Sequence, residues 1–464
     1  MKSLYIFLVI ALITAGCNKF DSEINTNPNL PTQASNTQLI ANAQLYLPNL
    51  SSTPQGEYNA QFLAETQYPN LSLYNQVSFS FYDLYQGPLM NLETVIRSNS
   101  FDILEGPAAN QLAVAKILKA YFFWFITDRW GDVPYTEALK GSTQFRPKYD
   151  RQQDIYDSLF KLLDEANAAI VAGNITNDIM YGGDITKWKK FGNTIHMLMA
   201  LRLSKRDAIK GASEFNKALT AGVMASNNDN FVYKHLAEAS NQNYWYGQIF
   251  GLNRQWWALS KTLVDYMLPN NDPRLAWYGD KNSAGNYVGL TLGQTTGLST
   301  TAYSLLGKNI WLQNAPVYLV TYAQALFAIA EAAKLGWITG GDATAKTNYD
   351  LAITQSVSQW TGSTTGVSAL LASTAVAYDP ARALEQIAMQ RYVHLFMNGY
   401  EAWAEWRRTG YPNNLVSPGG TPIPRRQGYP SQEFFVNADN YKAAIQAQFG
   451  GQDNLTGRVW WDKP

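Results

Sequence analysis

Cysteine is almost absent from this chain, whose 464 residues contain only Cys17. A single cysteine cannot form an intramolecular disulfide, so an oxidising compartment adds no covalent cross-link to the fold. The chain is nevertheless long enough to bury a large hydrophobic core. We therefore expect the stability of the fold to come from core packing.

The chain also lacks an excess of charge of either sign. Lys plus Arg and Asp plus Glu each number 36, which gives a formal net charge of zero, and charged residues make up only 16% of the chain. Proteins that bind nucleic acids need a basic excess to pair with phosphates. We therefore expect no nucleic-acid partner.

Residues typical of catalytic and metal sites are scarce. The three histidines, His196, His235 and His394, do not have the spacing of metal ligands. No phosphate-binding loop, G-x-S-x-G or H-E-x-x-H motif occurs. Glu401 and Glu405 could imitate a catalytic carboxylate pair, but the arginines that follow them favour an ion network. We therefore expect no catalytic residue, no metal and no cofactor.

The apolar run at the start of the chain is too short to span a bilayer. Lys2 precedes an apolar run over 4–13, and small residues then lead to Cys17 in the sequence TAGC. Small residues before a unique cysteine are typical of a bacterial lipoprotein signal, in which the cysteine carries the lipid. The alternative is an ordinary secretory signal with an incidental cysteine.

The residues after Cys17 are polar and rich in Asn and Pro, as in a tether between a lipid and a fold. No later change in composition requires a second domain. We therefore predict a signal peptide over 1–16, a lipidated N-terminus and tether over 17–36, and a single domain over 37–464.

Helical periodicity dominates that domain. Apolar residues recur at helical spacing over the segments 114–125, 155–170, 191–199, 319–333, 349–360 and 384–395. Two long stretches, 225–310 and 411–437, have little helical period but many aromatic residues, prolines or small polar residues. Long loops in a compact domain are usually functional or disordered, and these contain too many aromatics for simple linkers. We predict a mainly α fold with few short strands and an ordered, loop-rich region.

Aromatic residues are plentiful, with 14 Trp and 28 Tyr. Their flat apolar faces and polar groups suit stacking on sugar rings or packing against a broad partner surface. The segments 68–85 and 243–257 interleave aromatics with amide and charged side chains. The candidate ligand-binding residues are Trp245, Trp256, Trp257, Asn253, Arg254 and Tyr74. For each ring, the alternative is a place in the core or at a partner interface.

Several segments, in their order along the chain, resemble those of the SusD/RagB family of nutrient-capturing surface lipoproteins. The segments are INTNPNLPTQAS at 24–35, DRWGDVPYTEAL at 128–139, KWKKFGNTIHMLMALRLSK at 187–205, GYEAWAEWRRTGYP at 399–412 and PRRQGYPSQE at 424–433. The similarity is greatest to the branch with EAWAEWRRTGYP rather than to the starch-binding founder.

The resemblance implies tetratricopeptide-like helix pairs that support a loop-rich ligand-binding region. It also implies a partner, a TonB-dependent outer-membrane barrel of the SusC type, to which the lipoprotein delivers an oligosaccharide or peptide. Asp21 and Glu23, close to the acylated cysteine, resemble the export signal that places such proteins on the cell exterior. A surface hydrolase and a structural lid without ligand contact are the alternative functions.

Replacing Cys17 with Ser should release the protein from the membrane fraction, because the lipid on this thiol is the only anchor that the sequence predicts. Cell fractionation followed by a high-salt wash measures this release. A variant that stays in the washed membrane pellet would contradict the lipoprotein interpretation.

Overall fold

Pairs of neighbouring helices make up most of the structure. The computed structural model describes residues 34–464, so the predicted signal peptide, Cys17 and most of the predicted tether lie outside the described residues. No helix within 34–464 is both long and apolar enough to cross a membrane.

The helices of the first half are α1 Asn36–Gln44, α2 Pro54–Asn59, α3 Tyr82–Leu84, α4 Met90–Arg97, α5 Ala108–Trp130, α6 Gln152–Ala169, α7 Ile185–Arg202, α8 Ala208–Ala221 and α9 Tyr244–Tyr246. Those of the second half are α10 Lys261–Met267, α11 Leu275–Tyr278, α12 Tyr322–Lys334, α13 Gly341–Thr361, α14 Val367–Ala372, α15 Ala383–His394, α16 Gly399–Thr409, α17 Glu433–Val436 and α18 Ala438–Phe449. One-turn π segments follow α3 and α9, at Tyr85–Leu89 and Gly247–Gly251.

Four short strands form two antiparallel pairs among the described residues. The strands are β1 Leu63–Glu65, β2 Phe231–Tyr233, β3 Trp257–Leu259 and β4 Val317–Val320. Strand β1 pairs with β3, and β2 pairs with β4. The prediction of a mainly α fold with few short strands is therefore confirmed.

The helix pairs α5–α6, α7–α8 and α12–α13 each pack side by side, as expected for tetratricopeptide-like units. Side-chain caps set where two of these helices begin. The Asp184 carboxylate accepts the backbone N–H groups of Thr186 and Lys187 at the start of α7. At the start of α12, Thr321 and Gln324 form a reciprocal capping box.

One predicted helical segment begins too early. The pattern over 319–333 predicts a helix from residue 319, but Leu319 and Val320 belong to β4, and α12 begins at Tyr322. Phe231 of β2 pairs with Val320, so a partner strand 89 residues earlier in the chain determines the conformation. Such tertiary pairing overrides a local pattern.

A buried ion network joins five of the helices. Arg202 of α7 donates from Nε to Asp128 of α5 at 3.1 Å, from Nη2 to Glu401 of α16 at 2.7 Å, and also to Glu405 of α16. The Arg202 side chain is completely buried. Glu401 and Glu405 therefore belong to an ion network in the scaffold, as the arginines that follow them in the sequence indicated.

The network continues through a second carboxylate on α12. Glu331 accepts two parallel hydrogen bonds from Arg408 of α16, at 2.6 and 2.7 Å, and pairs with Arg391 of α15 at 2.8 Å. Burial would raise the pKa of Glu331 and Glu405, but the surrounding arginines outweigh burial and hold both pKa values below the ordinary range. At Glu401 the attraction of Arg202 does not offset burial, and burial raises the pKa of this carboxyl group to about 7.

Replacing Glu331 with Gln should lower the free energy of unfolding by about 3 kcal/mol, because it leaves the buried Arg408 and Arg391 with only Glu405, which also pairs with Arg202, as a counter-charge. Urea unfolding measures the change. Glu385→Gln is the matched control, since Glu385 also pairs with an arginine on a helix, but at the surface, where such pairs contribute about 0–1 kcal/mol. Equal urea midpoints for Glu331→Gln, Glu385→Gln and the unmodified protein would contradict a stabilising role of the ion network.

Candidate ligand-binding site at the β1–β3 ladder

The β1–β3 ladder brings the two predicted aromatic segments together. Glu65 at the end of β1 pairs with Trp257 at the start of β3. Beyond the ladder, the backbone N–H of Thr66 donates to the carbonyl oxygen of Trp256 at 2.9 Å. The residues that follow β1 therefore lie beside those that precede β3.

Two aromatic rings meet at the open end of this ladder. The Tyr68 ring is 49% exposed, and its centroid lies 5.1 Å from that of the half-buried Trp256, at an interplanar angle of 81°. Arg254 is exposed next to them, with its guanidinium carbon 5.9 Å from the Trp256 ring centroid. We call Tyr68, Arg254 and Trp256 the aromatic surface.

Polar groups border the aromatic surface. Arg254 donates from Nη1 to Gln248 Oε1 at 2.7 Å, which fixes one edge of its guanidinium. Asn253 is exposed in a left-handed turn with φ 52°, a conformation that asparagine tolerates well. Both predicted hydrogen-bonding residues therefore lie at the surface beside Trp256.

The other three predicted residues lie in the core. Trp245 is 2% exposed, and Trp257 and Tyr74 are 4% exposed. The Trp257 indole N–H donates to the Tyr58 hydroxyl at 2.9 Å, and the Tyr74 hydroxyl donates to the Tyr58 carbonyl at 3.2 Å. All three rings are buried, which is the core position that the sequence left open as the alternative for each aromatic residue.

A row of ring contacts connects the surface to a cavity. The Trp257 ring lies 5.4 Å from Trp256 and 5.2 Å from Trp245, which in turn lines a cavity of about 390 Å³. The other aromatic and amide residues of this cavity are Trp277, Tyr318, Trp360, Phe396, Asn243, Asn309, Asn314 and Gln359. None of its lining residues is charged, so the cavity suits an uncharged group.

Sequence reasoning missed this cavity and chose Tyr74 over Tyr68. The cavity residues come from six separate segments, so no local pattern joins them. Tyr68 could have been favoured only by recognising that residue 65 ends a strand, since the next residues then leave the core. The rings of Trp277 and Tyr318 are half-buried at the cavity.

A buried carboxyl group lies beneath the aromatic surface. Glu65 accepts a hydrogen bond from the Tyr58 hydroxyl, while its Oε2 has no hydrogen-bond partner among the described residues. Burial raises the pKa of Glu65 to about 7, and hydrogen bonding from Tyr58 only partly offsets this effect. At neutral pH this carboxyl group is therefore partly protonated.

No group of three or more His, Cys, Asp or Glu residues within 34–464 is arranged to hold a metal ion. The histidines have structural partners instead. His394 is buried between Thr321 at 2.6 Å and Ser356 at 2.9 Å, and burial lowers its pKa to about 3. His196 contacts Glu214 at 2.8 Å.

Replacing Glu65 with Gln should flatten part of the dependence of stability on pH. Because the folded-state pKa of about 7 exceeds the ordinary value of 4.5, the folded state binds more protons between these pH values, and stability falls as pH rises through this window. Glu65→Gln removes that loss, so its advantage over the unmodified protein should grow by roughly 3 kcal/mol between pH 4.5 and 8.

Urea unfolding at both pH values measures this difference, with Glu238→Gln at an exposed position as the control. An advantage of Glu65→Gln that is the same at both pH values would show that Glu65 does not titrate in this window.

A family described as starch-binding and associating with the outer membrane, of the SusD-like type, matches residues 28–430. No curated protein sequence is significantly similar to the chain.

Solved structures share the fold over almost the whole chain. A chitin-binding protein is 29% identical with a TM-score of 0.82, over 93% of this chain and 100% of its own. A SusD homologue from Bacteroides fragilis is 27% identical with a TM-score of 0.80, over 93% and 100%. A chitin-binding SusD homologue from Flavobacterium johnsoniae, at 24% identity and a TM-score of 0.76 over 92% and 96%, shares the fold. The chain thus belongs to the SusD-like family of proteins that associate with the outer membrane.

Proposed function

We propose that this protein captures a carbohydrate by stacking sugar rings on its aromatic surface. The observation that supports this most is the contact between the exposed Tyr68 and the half-buried Trp256, whose rings lie 5.1 Å apart beside Arg254. The family description as starch-binding and the chitin-binding relative at 29% identity agree with this ligand class.

The chemistry of the surface fits a sugar ring. The apolar face of a sugar packs on an indole or phenol ring, while its hydroxyl groups need donors and acceptors at the ring edges. Arg254 supplies guanidinium donors there, and the exposed Asn253 supplies an amide. Trp257, held beneath by its hydrogen bond to Tyr58, keeps Trp256 in place at a ring separation of 5.4 Å.

The proposed setting is the cell surface. Lipid on Cys17 would hold the protein at the outer membrane, facing the exterior, and the protein would pass its ligand to a TonB-dependent barrel of the SusC type. The N-terminal sequence pattern and the family's association with the outer membrane support this setting. The proposed role is that of a binding protein and not of an enzyme.

Replacing single aromatic residues with Ala distinguishes rings that contact the ligand from rings that stabilise the core. Trp256→Ala and Tyr68→Ala should each weaken oligosaccharide binding by about 1–3 kcal/mol, roughly 5- to 150-fold, because each removes a stacking face. Trp257→Ala should instead lower the free energy of unfolding by about 3–5 kcal/mol, because it opens a cavity in the core. Calorimetric titration with chitotriose and maltotriose, combined with urea unfolding, measures both effects.

Phe435→Ala is the matched control, since Phe435 is a 77% exposed aromatic residue in α17, far from β1 and β3 in the chain. Phe435→Ala should change neither the affinity for the oligosaccharide nor the free energy of unfolding. Unchanged affinity in both Trp256→Ala and Tyr68→Ala for a saccharide that the protein binds would place the binding site elsewhere. A tripeptide that binds more tightly than either saccharide would instead make peptides the ligand.

A further inference from the structure

A second open pocket, of about 420 Å³, lies apart from the residues of the aromatic surface. It is formed by the turn Leu47–Leu50, the π segment Tyr85–Leu89 and one side of α5. Arg129 of α5 lines it, together with the polar residues Asn49, Ser80, Asp83 and Gln86.

The Arg129 guanidinium is held in a fixed position. Its Nε donates to Gln427 Oε1 at 2.5 Å. Its central carbon lies 4.6, 4.3 and 3.9 Å from the ring centroids of Phe125, Trp130 and Tyr400, respectively. Such a guanidinium loses little further freedom when it binds a ligand, because the rings and Gln427 already order it.

The charge of Arg129 has no counter-charge within the described part of the chain. No carboxylate of residues 34–464 lies within 4.0 Å of it, whereas Arg202, Arg391 and Arg408 all pair with carboxylates. Burial lowers the pKa of Arg129 to about 10, and the only group that opposes this effect is Tyr400. Partial burial of an unpaired cation is costly, and an anion in the pocket would relieve that cost.

Arg407 shows what a purely structural arginine looks like here. It also has no carboxylate of residues 34–464 within 4.0 Å, but it is 2% exposed and donates to the backbone oxygens of Asp128 and Arg425. Arg129 is only partly buried, and apart from the contact with Tyr400 its Nη groups pair with no carboxylate of residues 34–464. The free edge of its guanidinium is the edge that a bidentate anion would use.

The local backbone is adapted to the pocket. The wide turn at Tyr85–Leu89 is a π segment, a feature that is frequent at functional sites. Within it, a Cβ on Gly87 would lie 2.5 Å from the Tyr46 ring, so only glycine allows this wall to approach so closely. The amides of Asn49 and Gln86 and the hydroxyl of Ser80 add neutral hydrogen-bonding groups.

We propose that this pocket binds an oxyanion, a carboxylate or sulfate group of an acidic saccharide, through the Nη edge of Arg129. The planar guanidinium fork matches the paired oxygens of either group. Asp83 is exposed in the same pocket, where its carboxylate opposes the anion. The site does not depend on the aromatic surface.

The probes are trigalacturonate, its neutral methyl ester, and inorganic sulfate, titrated calorimetrically at low ionic strength. The unmodified protein should bind trigalacturonate or sulfate, and should bind trigalacturonate at least tenfold more tightly than the methyl ester if the carboxylate is the recognised group. Arg129→Met, which keeps an apolar stem between the three rings, should abolish the binding of either anion.

Asp83→Asn provides a second arm that leaves Arg129 and its rings intact. It should strengthen anion binding several-fold, because it removes a like charge from an exposed position in the pocket. Gln86→Glu, also exposed, should weaken binding. Binding of sulfate alone would identify sulfate as the recognised group. Failure of all three probes to bind, or equal anion affinities in the unmodified protein, Arg129→Met and Asp83→Asn, would overturn the proposal.

Discussion

The buried ion pairs around Glu405 are the constraint on which the rest of the structure depends. They join Arg202 of α7 to Arg391 of α15 and Arg408 of α16, and thereby fix the position of α16. That helix packs against α2 so closely that a Cβ on Gly399 would lie 2.2 Å from the backbone of Gly56. The backbone N–H of Gly399 also donates to the carboxyl group of Glu57 in α2 at 3.0 Å. Because β1 follows α2 directly, the network determines where the ladder that carries the aromatic surface lies.

The aromatic residues of the site divide between two physical roles. Trp257 and Trp245 are core residues whose rings lie 5.2 Å apart. The Trp257 ring also packs against Trp256. Where the ladder ends, Tyr68 is exposed and Trp256 is half-exposed, with their rings in edge-to-face contact. A ring that is fixed by a packed neighbour loses little entropy on binding, which is how a buried tryptophan can contribute to affinity without touching a ligand. The Trp245 ring also lines the uncharged cavity.

Local signals were enough to predict most of the long helices. Apolar residues at helical spacing predicted α5, α6, α7, α13 and α15. Of these, α6 and α13 bury a single face, whereas α5, α7 and α15 are buried along consecutive residues on most sides. Burial within 243–257 could not be predicted in the same way. Trp256 and Trp257 are neighbours with the same chemistry, and only the pairing of β3 with β1, almost 200 residues earlier, makes one half-exposed and the other buried. The Arg129 pocket was equally hidden, since its walls come from three distant segments and its distinguishing property is a carboxylate that is missing.

The central claim is that Trp256 contacts the captured saccharide while the core tryptophans do not. Fluorine NMR of protein labelled with 5-fluorotryptophan tests it most directly, with the Trp256 and Trp403 signals assigned by substitution. Titration with chitotriose or maltotriose should shift or broaden the Trp256 signal and leave that of Trp403, buried against Arg407 in α16, unchanged. Saturating ligand that moves other tryptophan signals but not that of Trp256 would contradict the account.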